Sequence, residues 1–454
     1  MRVLKETMEL AKFVGNSTYE RLPAEVISRA KTCILDQIGV QVGVSRKPWL
    51  KIAYEYIMGL GGREEATIVG YGNKTTAENA AFVNATFGHG FEMDDVYSPA
   101  LAHPGPVVVP AVLAVGEREH ISGKDLILAV TMGYEVMGRV GHALSPTQLY
   151  RGFHPLSAAG PLGSSTAVAK ALRLEEGKII HAMAIGASFS CGLTECYKSG
   201  GEVKRYHAGI VASGGIRAAS LAKLGLTGPS TILEGPLGIR AFSDSFTPEV
   251  LLERLGQYYV VNNIWQKKYS CNGMIHAPID AVEAIRVKHE INLSDIQEIV
   301  VGSNGHAVNE VGSIREPKDI FGFQFSMNYS LALQLVKGGN GFSDYTEENM
   351  KDPMIANLSK KIRVEKDEYI DSLFPGKIGG KVTMKMKDGR SYSETVEDCR
   401  GTPLNPMSKV ELENKVRNVA RMTVGEAKIN RIIEMVNHLE DVKDVGELAA
   451  LLKG

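Results

Sequence analysis

The residues best equipped for chemistry fall into four clusters. The first is Gly88-His89-Gly90-Phe91-Glu92-Met93-Asp94-Asp95-Val96-Tyr97, followed by His103-Pro104-Gly105. Carboxylates this closely spaced repel one another, and burial raises the pKa of one member. Phe87, Phe91, Met93 and Val107-Val108-Val109 flank the cluster and argue for a buried setting over a solvated helix-to-loop junction. Glu92 and Asp94 can then act as acid or base, or orient and tune a neighbouring histidine. Pro104 biases His103 away from helical geometry. His103 is therefore expected on a rigid loop near the carboxylates, where an imidazole suits proton transfer.

The second cluster repeats that pattern in Arg151-Gly152-Phe153-His154-Pro155, just before a Gly/Ala-rich helical stretch. The third is Ser199-Gly200-Gly201-Glu202-Val203-Lys204-Arg205-Tyr206-His207, with a helix expected from about His207. Glycines let backbone approach a ligand, the basic pair supplies charge, and a helix N-terminus attracts anions. Lys204, Arg205 and His207 thus suit a carboxylate pocket; the alternative is an exposed basic turn. The fourth is Gln266-Lys267-Lys268-Tyr269-Ser270-Cys271-Asn272-Gly273, with His276 opening a helix. Lys267, Lys268, Ser270 and His276 again read as carboxylate capture, with Asp95 added from the first cluster. Cys271 has no evident activator and reads as lining or packing. His89, His120, His142, His181 and His289 lie in helical patterns without clustered partners and read as structural.

Composition narrows the field. The chain has 454 residues, 44% apolar and 23% charged, ordinary values for a folded protein with a full core. Its formal net charge is −1, from 51 basic and 52 acidic side chains, so no global field draws nucleic acid or a membrane surface. No run approaches the roughly 18 apolar residues of a membrane span. The first residues have the spacing of an amphipathic helix and not of a signal peptide, so a cytoplasmic protein is expected. The five cysteines form no CxxC pair and no zinc-spaced Cys/His cluster, which speaks against a metal centre. No GxGxxG after a strand, Walker loop or GxSxG elbow is present, so the nucleotide-binding and serine-hydrolase readings fail.

Elements must bring the clusters together. Helical periodicity runs over 1–60 and 76–92, then over about 107–119, 123–144, 157–172, 175–190 and 207–224. Glycine and alanine on several faces imply closely packed helices. From about residue 265 the pattern changes. Ile296–Val301, Ile362–Val364 and Gly380–Met386 alternate like strands, and Lys387-Asp388-Gly389-Arg390 marks a hairpin. Helices return at 276–290, 325–337 and 407–453. The expected architecture is mainly α: a large helical domain over 1–265 and 401–454, with an inserted α+β lid domain over 266–400 and the site in the cleft between them.

Several pieces, in order, resemble the MmgE/PrpD family. They are Phe91-Glu92-Met93-Asp94-Asp95, His103-Pro104, Phe153-His154-Pro155, Lys204 with His207-Ala208-Gly209, Leu224-Gly225-Leu226-Thr227-Gly228-Pro229, Leu233-Glu234-Gly235, Lys268-Tyr269, and Phe323-Gln324-Phe325-Ser326-Met327-Asn328-Tyr329. The resemblance implies a helical domain with an α+β lid, a homodimer, and catalysis without metal or organic cofactor. The family includes 2-methylcitrate dehydratases, cis-aconitate decarboxylases and an iminodisuccinate epimerase. It places His103, His154 and Lys204 on active-site positions, and Glu92 where decarboxylase-like members carry aspartate. Two departures stand out. Val96 or Tyr97 falls where those members carry threonine, and a lid tyrosine is replaced near Ala307. The reading that follows is a cofactor-independent lyase for a small di- or tricarboxylate, most of all a dehydratase eliminating water from a 2-methylcitrate-like substrate. Decarboxylation and epimerisation are the alternatives.

Overall fold

A computed structural model describes residues 5–454. The first four positions of the expected N-terminal helix lie outside the described residues, and the remainder forms Glu6–Asn16. Helices dominate the described chain. Their starts follow local chemistry. Ser122 and Asp125 form a capping box at the head of Gly123–Leu144, and Thr76 caps Ala77–His89 through the Asn79 N–H. Pro155 opens Pro155–Ala171, where its missing N–H costs nothing.

Small residues set the helix spacing. At Gly163 a Cβ would lie 2.9 Å from the Gly133 carbonyl oxygen, so Pro155–Ala171 and Gly123–Leu144 touch backbone to backbone there. At Gly209 a Cβ would lie 2.5 Å from the Phe82 carbonyl oxygen, which presses Val203–Leu224 onto Ala77–His89. The helix expected from His207 begins four residues earlier, at Val203. Gly200 and Gly201, both at positive φ, end the preceding turn, and nothing between Val203 and His207 interrupts a helix. Lys204, Arg205 and His207 therefore fall within its first two turns.

The sheet has four strands in the order Ile362–Lys366, Ile296–Ser303, Gly380–Met386, Ser391–Val396. The first pair is parallel, with Val301 opposite Val364. The other pairs are antiparallel, with Val301 opposite Val382 and Val382 opposite Glu394. The Asp388-Gly389 turn closes the expected hairpin, with Gly389 at positive φ. Helix His276–Lys288 packs on the sheet.

Two apolar clusters fill the interior. One joins Ile38, Val108, Met137, Leu162 and Val211 to the C-terminal helices through Leu412 and Ile433. The other gathers Trp265, Ile299, Phe323, Phe325 and Val382, and reaches across to Val83, Phe87 and Phe91. Helix Ala77–His89 serves both, with Ala80, Ala81 and Ala85 in the first and Val83 and Phe87 in the second. The carboxylate cluster begins where this helix ends. Among the described residues, no helix is long and apolar enough to cross a membrane.

Candidate active site

Past His89 the chain turns sharply, and Glu92 sits at φ 55°. A non-glycine residue pays for this left-handed conformation, and such strain concentrates at functional sites. The turn aims the Glu92 carboxylate at two ammonium groups. Lys204 Nζ donates to Oε1, and Lys267 Nζ donates to Oε2 at 3.2 Å. All three side chains are buried. Burial alone would push the Glu92 pKa up, but the two lysines outweigh it and hold the carboxyl well below its usual range. Burial likewise disfavours the Lys267 charge, and Glu92 reverses that. Two ammoniums face this one carboxylate in a dry setting, so an ammonium is available to pair with a substrate carboxylate.

Asp94 organises the imidazoles. Its Oδ2 lies 2.7 Å from His89 Nδ1 and 3.2 Å from His103 Nδ1. Burial opposes its charge, yet the two imidazoles keep its pKa well below normal. Burial also lowers His89, to about 4, against the opposing pull of Asp94. His103 Nδ1 is also 2.9 Å from the Asp95 carbonyl oxygen. Facing two oxygen acceptors, that nitrogen carries the proton and leaves Nε2 as its basic atom. The nearest nitrogen and oxygen atoms of His89, Asp94 and His103 lie within 4.8 Å of one another, as a metal site requires. Their separations are nevertheless those of hydrogen bonds, and a cation would have to displace the protons that make them. We read the trio as a hydrogen-bonded support for His103.

Asp95 is the carboxyl raised by burial, to about 7, against the lowering effect of its hydrogen bonds. The Tyr134 hydroxyl donates to its Oδ2 at 2.7 Å, and the Gly105 N–H donates to its Oδ1 at 2.8 Å. It clamps the loop before His103 to helix Gly123–Leu144. His154 stands at the head of Pro155–Ala171, and its Nδ1 lies 3.0 Å from His207 Nδ1. Both rings are pushed toward the neutral form. Burial and then His207 lower His154 well below the ordinary histidine value, and burial and then Lys204 lower His207 to about 4.

Glu92, His103, His154, Lys204 and Lys267 line one cavity with Val96, Trp265, Phe325 and Met274. Its free volume is about 80 Å³, room for a few waters. The other expected residues are not on its wall. Arg205 is fully buried, donates to the Gly90 carbonyl and stacks on Trp49 at 4.9 Å. Lys268 pairs with Glu283 at 2.9 Å. Ser270 Oγ donates to the Phe91 carbonyl at 2.8 Å. His276 Nε2 lies 3.4 Å from the Cys271 carbonyl, and its ring meets Trp265 edge-on. Asp94, Asp95 and His207 touch the site only through neighbours. His89, read as structural from the sequence, lies beneath His103; Asn272 of the fourth cluster, given no role there, is on the wall with Tyr197, His306 and Glu310, which no cluster included. His89 carried one usable signal, its place five residues before Asp94 at the end of a helix. Tyr197, His306 and Glu310 reach the site across long sequence separations that no local pattern encodes.

With this geometry in place, comparison with known proteins is decisive. The MmgE/PrpD N-terminal domain model matches residues 8–250, and the MmgE/PrpD C-terminal domain model matches residues 269–441. The chain belongs to the MmgE/PrpD family. It is 29% identical to the cis-aconitate decarboxylase of Aspergillus terreus, over 98% of this chain and 95% of the fungal protein. It is 29% identical to that of Homo sapiens, over 95% and 91% respectively, and 27% identical to that of Mus musculus, over 100% and 94%. Within this MmgE/PrpD protein, Val96 and not Tyr97 faces the cavity, so the wall is apolar where the resemblance implied a threonine. Tyr97 instead meets Tyr258, hydroxyl to hydroxyl, at 2.8 Å. Near Ala307 the wall is formed by His306 and Glu310.

Proposed function

We propose that the protein is a carboxy-lyase acting on a small, unsaturated di- or tricarboxylate by acid–base chemistry. The observation that carries this reading is the meeting of His103, His154, Lys204 and Lys267 on one buried wall. The decarboxylases among its relatives favour carbon dioxide loss over the water elimination expected first. Lys204 and Lys267 would hold one substrate carboxylate next to Glu92. Breaking the bond to a second carboxylate releases carbon dioxide and leaves its electron pair on carbon. That charge spreads into the held carboxylate as an enediolate, which the ammonium groups stabilise in a low-dielectric cavity. A proton that Nε2 of His154 or His103 takes from solvent then passes to carbon and completes the product, and the imidazole returns to its neutral form. Only the reacting geometry has to be fixed, which positioning alone can favour strongly.

Dehydration uses the same parts and stays as the second reading, because two imidazoles on one cavity can serve as base and acid. We further propose that residues 266–400 form a lid, since Lys267, Asn272, His306 and Glu310 reach the cavity from that stretch while His103, His154 and Lys204 lie outside it. The test is a panel of cis-aconitate, citrate, 2-methylcitrate and iminodisuccinate, followed by product mass. Carbon dioxide loss from cis-aconitate supports the first reading, water loss from 2-methylcitrate the second. Turnover of none overturns both.

A further inference from the structure

The contact between His154 and His207 constrains the mechanism beyond the naming of a catalytic histidine. Two Nδ1 atoms 3.0 Å apart hold one proton between them: two lone pairs repel at that distance, and two N–H groups collide. One ring donates and the other accepts. Only His154 reaches the cavity; His207 sits behind it, one helical turn past Lys204. The pair is enclosed. His154 is 2% exposed and His207 4%. His89 stacks beside His154 with ring centres 5.6 Å apart, and the Tyr197 ring lies at 6.3 Å. The Gly192 loop closes on His207 so tightly that a Cβ there would lie 3.3 Å from Nδ1.

Suppose His207 were the donor. His154 would then be neutral with its proton on Nε2, the atom left to face the cavity. Giving that proton away would make an imidazolate, a species too basic to form at ordinary pH, and Nε2 would have no lone pair with which to take one. Suppose instead that His207 accepts. His154 then carries its proton on Nδ1 and presents a bare Nε2. It can take a proton there, become an imidazolium braced by His207, and deliver that proton to carbon. In delivery the Nε2–H bond breaks and the C–H bond forms on the electron pair left by the departing carboxylate. His154 returns to its neutral Nδ1–H form.

We propose that His207 is the positioning residue of His154, neutral with its own proton on Nε2 and its Nδ1 accepting from His154 Nδ1–H. This rests on the reading of His154 as an acid–base group and replaces the expected role of His207 as a substrate ligand. It does for His154 what Asp94 and the Asp95 carbonyl do for His103, with an uncharged acceptor in place of a carboxylate. The choice of a neutral acceptor fits a site that already holds the Lys204 and Lys267 charges and must take in a polyanion.

The test has a spectroscopic arm and a kinetic arm. Imidazole nitrogen NMR on protein with labelled histidine, assigned with His207→Asn and His154→Gln, reads both tautomers directly. Expected are a protonated Nδ1 on His154 and a bare Nδ1 on His207; the reverse pattern overturns the proposal. Kinetically, the amide oxygen introduced by His207→Asn can still accept from His154, whereas the side chain introduced by His207→Leu cannot. His207→Leu should lower kcat about 100-fold or more, with KM changed less than about threefold, while His207→Asn recovers most of kcat. Equal kcat in the two variants, with melting temperatures like the parent's, contradicts the proposal. If the parent turns over no substrate, the proposed activity fails and the NMR pattern alone decides the role of His207.

Discussion

At the scale of single residues, the proposed chemistry depends on imidazoles set beside paired charges. His103→Ala and His154→Ala should each cut turnover about 10²–10⁴-fold, with melting temperatures close to the parent's; a variant that stays fully active leaves the mechanism. Lys204→Met should reduce kcat/KM by about 10²–10³-fold, measured in steady state on the best substrate of the panel. Asp95 makes a prediction about stability. Its carboxyl, raised to about 7 in the folded protein, titrates near 3.9 when unfolded. The folded state therefore binds the proton more tightly. Its contribution is complete below pH 4 and is lost as pH rises through 7. Asp95→Asn keeps an acceptor for the Gly105 N–H and has no proton to lose. Its stability relative to the parent should therefore rise by about 3 kcal/mol between pH 5 and pH 8. Denaturant melts at the two pH values check it, and equal pH dependence in both proteins counts against it. The meeting of side chains was legible where residue type and punctuation coincide, as in the two His-Pro loops and the basic turn after Gly200-Gly201. It was not legible where neighbours compete. Lys267 faces Glu92 while Lys268 faces Glu283, a choice made by the phase of an irregular segment with no periodicity to read.

At the scale of elements, backbone contact between helices fixes where the side chains of the site meet. Val203–Leu224 can place Lys204 against Glu92 only because Gly209 lets it lie on Phe82. Gly209→Val should push the two helices apart, cost about 1–3 kcal/mol of stability and depress kcat/KM more than it depresses stability, because the ammonium moves with the helix. Circular dichroism melts and kinetics on one preparation separate the two effects. The long helices were readable from their 3.6-residue period and caps, and the Asp-Gly hairpin from its turn residues. The start at Val203 was not, because a basic, tyrosine-containing first turn looks the same as a loop until its glycine stop is recognised. The sharing of Ala77–His89 between two apolar clusters was also hidden, since its alanine and valine/phenylalanine faces become distinct only once partners from residues 265–400 are in place.

At the scale of the whole molecule, the site cavity is narrow for its proposed substrate. Its water-accessible volume of about 80 Å³ leaves a tricarboxylate little room. An outer cavity of about 910 Å³ shares Leu149, Tyr197, His306 and Glu310 with it and marks the direction of entry. The 266–400 segment should therefore move outward to admit substrate and close over it. Hydrogen exchange around Gly305–Asn309 should slow when a polycarboxylate is bound; unchanged exchange at saturating ligand argues against such closure. A crystal structure with an unreactive saturated tricarboxylate, propane-1,2,3-tricarboxylate, would locate the binding site itself. One carboxylate should lie within hydrogen-bond reach of Lys204 and Lys267, with the carbon chain between His103 and His154. Binding elsewhere on the molecule, with those four side chains untouched, would contradict that placement.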